Sequence, residues 1–355
     1  MNRKVKTQAP ETKIGMVGCG AIADKHMEAF GAMDGVRPVV LVGRRPEPSR
    51  AFAEKWGFER FTLDLDDALD DAGVDAVVIT SPNELHAPQA KRALQAGKHV
   101  LLEIPMALSA ADAEQVAGLA RQTDRRLMIA HTMRYFPAIQ EVRRRTAAGE
   151  LNIQHIVGFF GLLRRTNVTS AGQPRSWSDN LLWHFGAHMV DLALWTTGHT
   201  DARDVACRFG PVHPRQGVMD LSLAMTLPGG ELVTLALSFN VRQFRWRAAF
   251  IGEQTTLDFD MGALAEAGGG GVVPPHSIVD LREQNAEFVA AVREGRDPAI
   301  TAEDVLPAMR ILQRAQACAE TQAAPPCGQS GGVKIAMHEY PISNKEYPTD
   351  QGSGC

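Results

Sequence analysis

The sequence of 355 residues contains few cysteines, and their spacing matches none of the usual cysteine sites. The five are scattered and include no Cys-x-x-Cys pair: Cys19, Cys207, Cys318, Cys327 and Cys355. Disulfide-stabilised secreted domains and structural zinc sites need even, regularly spaced sets. We therefore expect reduced thiols in a cytoplasmic protein and no cysteine-based metal centre.

The sequence also lacks long apolar runs and an excess of charge of either sign. No stretch approaches the ~20 apolar residues that span a bilayer, and residues 1–12 lack the apolar core of a signal peptide. The 37 basic and 41 acidic residues give a net charge of −4. Such a balance predicts no strongly basic surface, so we expect neither nucleic-acid nor membrane partners.

Two patterns of secondary structure divide the chain. In residues 13–134, short apolar strands alternate with helices, which is typical of a parallel sheet covered on both faces. In residues 135–322, longer strands alternate apolar with polar positions, which favours an antiparallel sheet with one open face. The pattern predicts an α/β fold: a Rossmann domain followed by an α+β domain with an open-faced, largely antiparallel sheet. Residues 1–12 and 323–355 are predicted to be flexible.

Individual elements follow from these patterns. Strands are predicted at residues 13–17, 38–42, 76–80, 99–103, 126–130, 155–163, 204–210, 219–227, 232–239 and 244–251. The main helices are predicted at residues 21–33, 49–56, 87–96, 110–122, 181–197, 283–294 and 302–320. Residues 267–275 are rich in Gly and Pro, which predicts a loop.

The first strand leads into a glycine turn, Gly18-Cys19-Gly20-Ala21-Ile22-Ala23, and then into a helix. Gly18 permits the tight turn, Gly20 lets a pyrophosphate approach the backbone, and Ala23 is small enough for the third position. The amides of the helix N-terminus then face the phosphates. The turn predicts dinucleotide binding by Gly18, Gly20, Ala21 and Ile22.

The residues after the second strand bear on the choice of dinucleotide. An NAD site usually has Asp or Glu there for the ribose 2′-hydroxyl, whereas this chain has Gly43-Arg44-Arg45. Two guanidinium groups suit a 2′-phosphate. Arg44 and Arg45 therefore favour NADP, with NAD as the alternative. The alternative is that Arg44 and Arg45 have no role in cofactor binding and belong to an exposed basic loop with Glu47 nearby.

The segment Leu181–Thr197 is the most unusual helix, because His184, His188, Asp191 and Trp195 fall on one stripe among apolar residues. Three interpretations are open. The histidines are a hydrogen-bonded pair in a core or interface, or two metal ligands at i and i+4, or a general base near neutral pH. The metal interpretation lacks a third ligand, and a nicotinamide cofactor favours the base.

These features together resemble the Gfo/Idh/MocA family of NAD(P)-dependent oxidoreductases over roughly residues 13–322. The resemblance is carried by residues 18–23, Thr80-Ser81-Pro82-Asn83, His86, Glu103-Ile104-Pro105, His184, His188 and Asp191. It implies that Ser81, Pro82, Asn83, His86, Glu103 and Pro105 border the cofactor, and that His188 and His184 are catalytic. It also implies a homodimer or homotetramer formed through the open sheet.

Two positions depart from the family pattern. The family's active-site lysine is replaced by Ile104, and the aspartate that usually precedes the helix histidine by four residues is His184. A subgroup with similar departures oxidises a carboxylated cyclic hemiacetal to a pyrone dicarboxylate with NADP, during degradation of aromatic compounds such as protocatechuate. The shared segments are Glu103-Ile104-Pro105, Met133-Arg134-Tyr135, Arg164-Arg165-Thr166-Asn167 and Arg175-Ser176-Trp177.

The resemblance to this subgroup implies a small carboxylated substrate. Because the two histidines lack an evident third ligand, we expect no metal in the site. Because carboxylates need cations, we predict that Arg134, Arg164 and Arg175, with Trp177, bind the substrate. Two alternatives stay open. One is a sugar, polyol or inositol dehydrogenase of the same family, and the other is an inactive NADP-binding regulatory protein.

Overall fold

The computed structural model describes residues 11–166, 179–214 and 217–323. Its first part alternates strands and helices. These are β1 (Thr12–Val17), α1 (Ala21–Phe30), β2 (Val36–Val42), α2 (Pro46–Trp56), β3 (Arg60–Thr62), α3 (Leu65–Leu69), β4 (Ala76–Ile79), α4 (Asn83–Gln95), β5 (His99–Leu102), α5 (Ala110–Thr123) and β6 (Leu127–Ile129).

The six strands of this part form one parallel sheet in the order β3-β2-β1-β4-β5-β6. This is the Rossmann order, in which the topology switches between β1 and β4. The Rossmann prediction is therefore confirmed. The edge strand β3 and the helix α3 were not predicted, because three and five residues are too short to show a hydrophobic period.

The second part begins with a 3₁₀ turn at Thr132–Tyr135. Its elements are α6 (Pro137–Ala147), β7 (Ile153–Leu163), α7 (Leu181–Thr197), β8 (Arg203–Phe209), β9 (Val212–His213), β10 (Gly217–Val218), β11 (Asp220–Thr226), β12 (Leu232–Ser238), β13 (Asn240–Gly252), β14 (Thr256–Asp260), β15 (Ala263–Glu266), β16 (Gly270–Val273), α8 (Arg282–Glu294) and α9 (Ala302–Ala323). The short strands β9 and β10 pair with each other.

Eight strands of this part form a second sheet in the order β16-β15-β14-β13-β7-β12-β11-β8. Each neighbouring pair is antiparallel except β7 and β12, so the predicted open-faced, largely antiparallel sheet is confirmed. The Gly/Pro-rich loop predicted at residues 267–275 is wrong in part, since β16 lies within it. Strands β14 to β16 and helix α6 were also not predicted, because their apolar positions are too few to set a period.

The described residues cover one face of the second sheet and leave the other open. Along β12, buried Val233, Leu235 and Leu237 alternate with exposed residues. Leu232 and Ile251 both pair with His155 of β7, and their side chains are 50% and 37% exposed on the outer face. The oligomer predicted through this face stays a prediction.

Helix α7 lies on the covered face, where 13 of its 17 residues are buried. It packs against β7, β11, β12, α6 and α9, so it is enclosed on most sides. Gly158 faces the helix, and a Cβ there would displace the flexible end of the Met189 side chain. Asn180 caps the helix by accepting a hydrogen bond from Trp183 N–H at 3.1 Å.

The last two helices return to the first sheet, although they follow the second one in the chain. Phe288 and Val289 of α8 join the core between α1 and the Rossmann sheet. Arg293 donates hydrogen bonds to Gly35 O at 2.6 Å and to Thr12 Oγ1 at 3.0 Å. Helix α9 contacts α5 and α7, so the C-terminal helices hold the two sheets together.

The cap of α7 gives a stability prediction. Asn180→Ala leaves the Trp183 N–H without its acceptor and should lower the free energy of unfolding by about 1 kcal/mol in urea titrations. Asn180→Ser keeps a side-chain oxygen at the cap and should stay close to wild type. Equal stability of Asn180→Ala and wild type would contradict the cap.

Candidate active site

The predicted cofactor turn lies at the topological switch between β1 and β4. Gly18 has φ of +113°, and a Cβ there would lie 2.7 Å from Thr80 Oγ1 and 2.8 Å from Thr80 O. Gly20 begins α1 in an extended conformation, and no described side chain caps this helix end. A Cβ on Gly20 would meet no described atom within 4 Å. The turn thus offers helix amides and open space, which fits a dinucleotide pyrophosphate.

The arginine pair lies where it was predicted, directly after β2. The Arg44 and Arg45 side chains are exposed. Gly43 passes so close to Ser49 that a Cβ would overlap the Ser49 hydroxyl. Ser49 Oγ in turn donates to Arg45 O at 2.6 Å. This turn therefore holds two cations, and no carboxylate, at the end of the strand that usually recognises the adenosine ribose.

His86 has a different position from the one predicted. It is 1% exposed, and its ring nitrogens lie 2.8 Å from Pro105 O and 2.8 Å from Ser81 O. Since both nitrogens face backbone carbonyls, neither is left for a cofactor. We therefore correct its predicted cofactor contact. His86 ties the loop after β4 to the loop after β5 and so positions Ser81 and Pro105.

Glu103 belongs to a buried network that was not predicted from the sequence. Its Oε1 lies 2.9 Å from His26 Nε2, and His26 Nδ1 lies 3.0 Å from Asn285 Oδ1. Asn285 Nδ2 donates to His26 O at 3.3 Å, so its oxygen faces the ring and requires a proton on Nδ1. The sequence feature that could have identified His26 is a polar residue at a buried position of helix α1.

His184 joins the histidine helix to the edge of the first sheet. Asn83 Nδ2, at the start of α4, lies 3.3 Å from His184 Nδ1. With the amide donating to Nδ1, the proton of neutral His184 lies on Nε2. Burial lowers the pKa of His184 below its usual 6.5, although the Asp179 carboxylate opposes this and Arg164 adds to it. His184 is therefore a neutral hydrogen-bond donor at neutral pH.

His188 lies one turn further along α7, with ring centroids 6.1 Å from His184. Trp246 and Phe160 lie beside it, at centroid distances of 4.9 and 5.7 Å. Burial, followed by the nearby His184 and His131, holds the pKa of His188 well below 6.5. The ring is only partly exposed. His188 is therefore neutral at neutral pH and able to accept a proton.

Two stretches of the sequence match family profiles. Residues 12–131 match the Gfo/Idh/MocA oxidoreductase family with its NAD-binding Rossmann fold, and residues 137–257 match the C-terminal domain of bacterial oxidoreductases. The chain is 35% identical to 4-carboxy-2-hydroxymuconate-6-semialdehyde dehydrogenase of Sphingobium sp., over 87% of this chain and 99% of that protein. The chain belongs to the Gfo/Idh/MocA family.

Other relatives show the breadth of this family. The chain is 36% identical to inositol 2-dehydrogenase 1 of Saccharopolyspora erythraea, over 78% of this chain and 82% of that protein. Levoglucosan dehydrogenase, solved with NADH and levoglucosan, has the same fold with a TM-score of 0.78 at 19% identity, covering 88% and 98% of the two chains. As a Gfo/Idh/MocA protein, the chain is an NAD(P)-dependent oxidoreductase.

The position at which the family resemblance predicts a lysine is apolar here. Ile104 is 3% exposed and packs in the main core, while its N–H donates to Glu103 Oε2 at 3.2 Å. No ammonium group is therefore supplied to the site from this position. The two imidazoles of His184 and His188 come from α7, and His184 stands where the resemblance predicts an aspartate.

Asp191 pairs with residues that follow the first sheet. Its Oδ1 and Oδ2 accept hydrogen bonds from Arg134 Nη2 at 2.5 Å and Nε at 3.0 Å, and Oδ2 lies 3.2 Å from His131 Nδ1. Burial would raise the pKa of the Asp191 carboxyl, but His131 and Arg134 outweigh this and hold it far below 3.8. His131 was not singled out from the sequence, although it begins the segment that contains Arg134.

The arginines that were predicted to bind the substrate differ in their contacts. Arg134 is 10% exposed and held by Asp191, so we correct its predicted role in binding a substrate carboxylate. Arg164 is 30% exposed and lies 3.3 Å from Asp179, close enough to influence His184. Arg175 and Trp177 lie outside the described residues, and their roles stay predictions.

In the described ranges, no group of three His, Cys, Asp or Glu side chains is placed to hold a metal ion. Within those same ranges, no helix combines the length and apolar character needed to cross a bilayer.

The two glycines of the turn give opposite predictions. Gly20→Ala adds a Cβ only where the pyrophosphate would lie, so it should weaken NADP binding at least about tenfold and leave the Tm unchanged. Gly18→Ala forces a strained backbone against Thr80 and should lower the Tm by several degrees. Isothermal titration with NADP and thermal unfolding test both. Unchanged NADP affinity in Gly20→Ala would contradict the binding of the pyrophosphate at this turn.

Proposed function

We propose that the protein is an NADP-dependent dehydrogenase that oxidises the cyclic hemiacetal of 4-carboxy-2-hydroxymuconate-6-semialdehyde, or a similar carboxylated lactol, to 2-pyrone-4,6-dicarboxylate. The observation that carries the proposal is the pair of neutral histidines on α7, of which His184 contacts Asn83, with Ile104 in place of a lysine. The Sphingobium relative, matched over 99% of its length, supports this substrate class.

A hemiacetal suits a site of this composition. The ring oxygen on the reacting carbon withdraws electrons, so its hydroxyl releases a proton more readily than an ordinary alcohol. One neutral imidazole is then a sufficient general base. A secondary alcohol of a sugar is a weaker acid and gains more from a nearby ammonium group, which Ile104 cannot provide.

Some of the site residues would bind the cofactor, and others would transfer the proton. Bound NADP⁺ would supply the hydride acceptor, held by Gly18, Gly20 and the Arg44–Arg45 pair. His188 takes the proton of the substrate hydroxyl. His184, with Nδ1 occupied by Asn83, donates a hydrogen bond from Nε2 to the substrate oxygen.

A substrate carboxylate would meet Arg164 beside His184. This guanidinium already faces Asp179, whose side chain is 9% exposed, and the two groups lie 3.3 Å apart. A planar guanidinium can bind two carboxylates at once through its five N–H groups. Arg164 is thus the described cation best placed to recognise a carboxylated substrate.

A substrate panel tests the proposal. NADPH formation at 340 nm should be fast with the ring-fission hemiacetal and negligible with glucose and myo-inositol. His188→Ala should lower kcat by about 10²–10⁴-fold because the general base is lost. His155→Ala, on the open sheet face, is the matched control and should retain wild-type activity.

The substrate panel also tests the alternative function, that of a sugar or inositol dehydrogenase. The inositol 2-dehydrogenase relative, at 36% identity, favours a sugar or inositol dehydrogenase as the second candidate. Turnover of glucose or myo-inositol without turnover of the hemiacetal would replace the proposed function with that candidate. Wild-type activity of His188→Ala would refute the assignment of the base.

The cofactor preference has a separate test. Arg44→Asp places a carboxylate against the 2′-phosphate and should weaken NADP by about 10- to 100-fold while NAD binding is kept or improved. Arg37→Asp makes the same charge change at the opposite end of β2, where Arg37 pairs with Glu11 and Glu59. Its NADP/NAD ratio should equal that of wild type. An unchanged ratio in Arg44→Asp would exclude a contribution of this side chain.

A further inference from the structure

Glu103 lies at the cofactor edge of the first sheet, and the proposed function gives it no role. The glycine turn after β1 and the arginine pair after β2 belong to the half of the sheet that binds adenosine and the phosphates in this topology. The other mononucleotide half begins at β4, so the nicotinamide end of a dinucleotide extends over the carboxyl ends of β4 and β5. Glu103 comes directly after β5.

The Glu103 carboxylate is also close to the proposed catalytic helix. Burial lowers the pKa of the His184 imidazole, and the carboxylates of Asp179 and Glu103 are near enough to oppose this. Asn83, which follows the end of β4, contacts the same ring. Glu103 therefore lies on the part of the cofactor edge that is nearest to His184. A nicotinamide must lie there if hydride transfer takes place beside that residue.

Two contacts hold the Glu103 carboxylate and leave part of it available. Its Oε1 lies 2.9 Å from His26 Nε2, and its Oε2 accepts a hydrogen bond from Ile104 N–H at 3.2 Å. The side chain is 13% exposed. A carboxylate offers about four acceptor positions. Each oxygen therefore keeps a lone pair for the hydroxyl or amide donors of a ligand.

His26 is in turn fixed from the other side of its ring. Its Nδ1 lies 3.0 Å from Asn285 Oδ1, and Asn285 Nδ2 donates to His26 O at 3.3 Å. Both side chains are fully buried, and Asn285 belongs to α8, which packs on α1. The ring also stacks on Phe30, with centroids 6.2 Å apart. His26 is thus held at both nitrogens, and it cannot turn without breaking a buried contact.

We propose that His26, held by Asn285, is a positioning residue that orients Glu103 towards the nicotinamide half of the bound cofactor. The line of contacts runs from α8 through α1 to the end of β5. A carboxylate that is oriented in advance loses less side-chain entropy when the ligand binds. The effect should therefore appear in the affinity for the nicotinamide half alone. The inference rests on dinucleotide binding by the first sheet and not on the identity of the substrate.

Two ligands separate the halves of the cofactor. NADP contains the nicotinamide riboside, whereas 2′-phosphoadenosine 5′-diphosphate contains only the adenosine, the 2′-phosphate and the pyrophosphate. In isothermal titration, His26→Phe should weaken NADP about tenfold and bind the shorter ligand like wild type, because only Glu103 loses its contact. Equal weakening of both ligands would indicate a distorted fold and contradict the proposal. Unchanged NADP affinity would overturn it.

A double-mutant cycle tests whether His26 acts through Glu103. Glu103→Ala should itself weaken NADP relative to the shorter ligand, and adding His26→Phe should then weaken NADP no further. Asn285→Leu should have a smaller effect of about two- to fivefold, because His26 keeps its contact with Glu103 and loses only its own support. Additive effects of His26→Phe and Glu103→Ala would refute action through the carboxylate.

His199→Phe is the matched control, since His199 also faces a glutamate, Glu231, at 3.0 Å in the second part of the fold. It should leave both affinities at their wild-type values. His26→Phe leaves the buried Asn285 amide without its partner, which is destabilising. If this variant does not fold, His26→Phe combined with Asn285→Leu removes both polar groups and should still weaken NADP alone. Wild-type NADP affinity of the combined variant would overturn the proposal.

Failure of the proposed function has a different outcome from failure of this inference. If Arg44 does not select NADP, the same comparison is made with NAD and ADP, and His26→Phe should weaken NAD alone. Binding needs no turnover, so a wrong substrate leaves the result unchanged. If the hemiacetal is oxidised but His26→Phe affects both ligands equally or neither, the function stands and the positioning role of His26 is refuted.

Discussion

Burial of helix α7 between the second sheet and its neighbouring helices is the constraint on which the active site depends. Helix α7 is enclosed on nearly every side, yet it carries His184, His188 and Asp191. Desolvation alone would be costly for all three. Each is therefore matched by a group from outside the helix: Asn83 for His184, aromatic rings for His188, and Arg134 with His131 for Asp191. The same burial keeps the two imidazoles neutral, which is the state that a proton acceptor and a hydrogen-bond donor require.

The first sheet contributes both the cofactor cradle and much of the support for the histidines. Its carboxyl edge carries Gly18, Asn83 and Glu103 at the ends of three neighbouring strands, as expected at a topological switch. Two buried histidines stabilise this edge. His26 contacts Glu103, and His86 contacts the carbonyls of Ser81 and Pro105. The edge is thereby fixed before any ligand arrives, which reduces the reorganisation needed for catalysis.

Much of this arrangement follows from local sequence, and the part that does not depends on distant contacts. The glycine turn, the Arg44 position and the bounds of α7 were predictable, because each rests on residues within one turn or one hydrophobic period. The contacts of His26 with Asn285, and of Arg134 with Asp191, join residues separated by 259 and 57 positions. No spacing rule connects such pairs, so Arg134 was predicted as a substrate ligand and His131 was overlooked. The short strands β3 and β14 to β16 were missed for the related reason that their pairing, rather than their composition, defines them.

The return of α8 to the first sheet has a consequence for biosynthesis. Glu103 is held by His26, and His26 is held by Asn285, which lies beyond every strand of the second sheet. A nascent chain that has completed all six parallel strands still lacks the Asn285–His26 contact and the Phe288 contact with α1. The contacts that complete this half of the fold therefore form only after α8 has been translated, and excision at residue 134 would remove them.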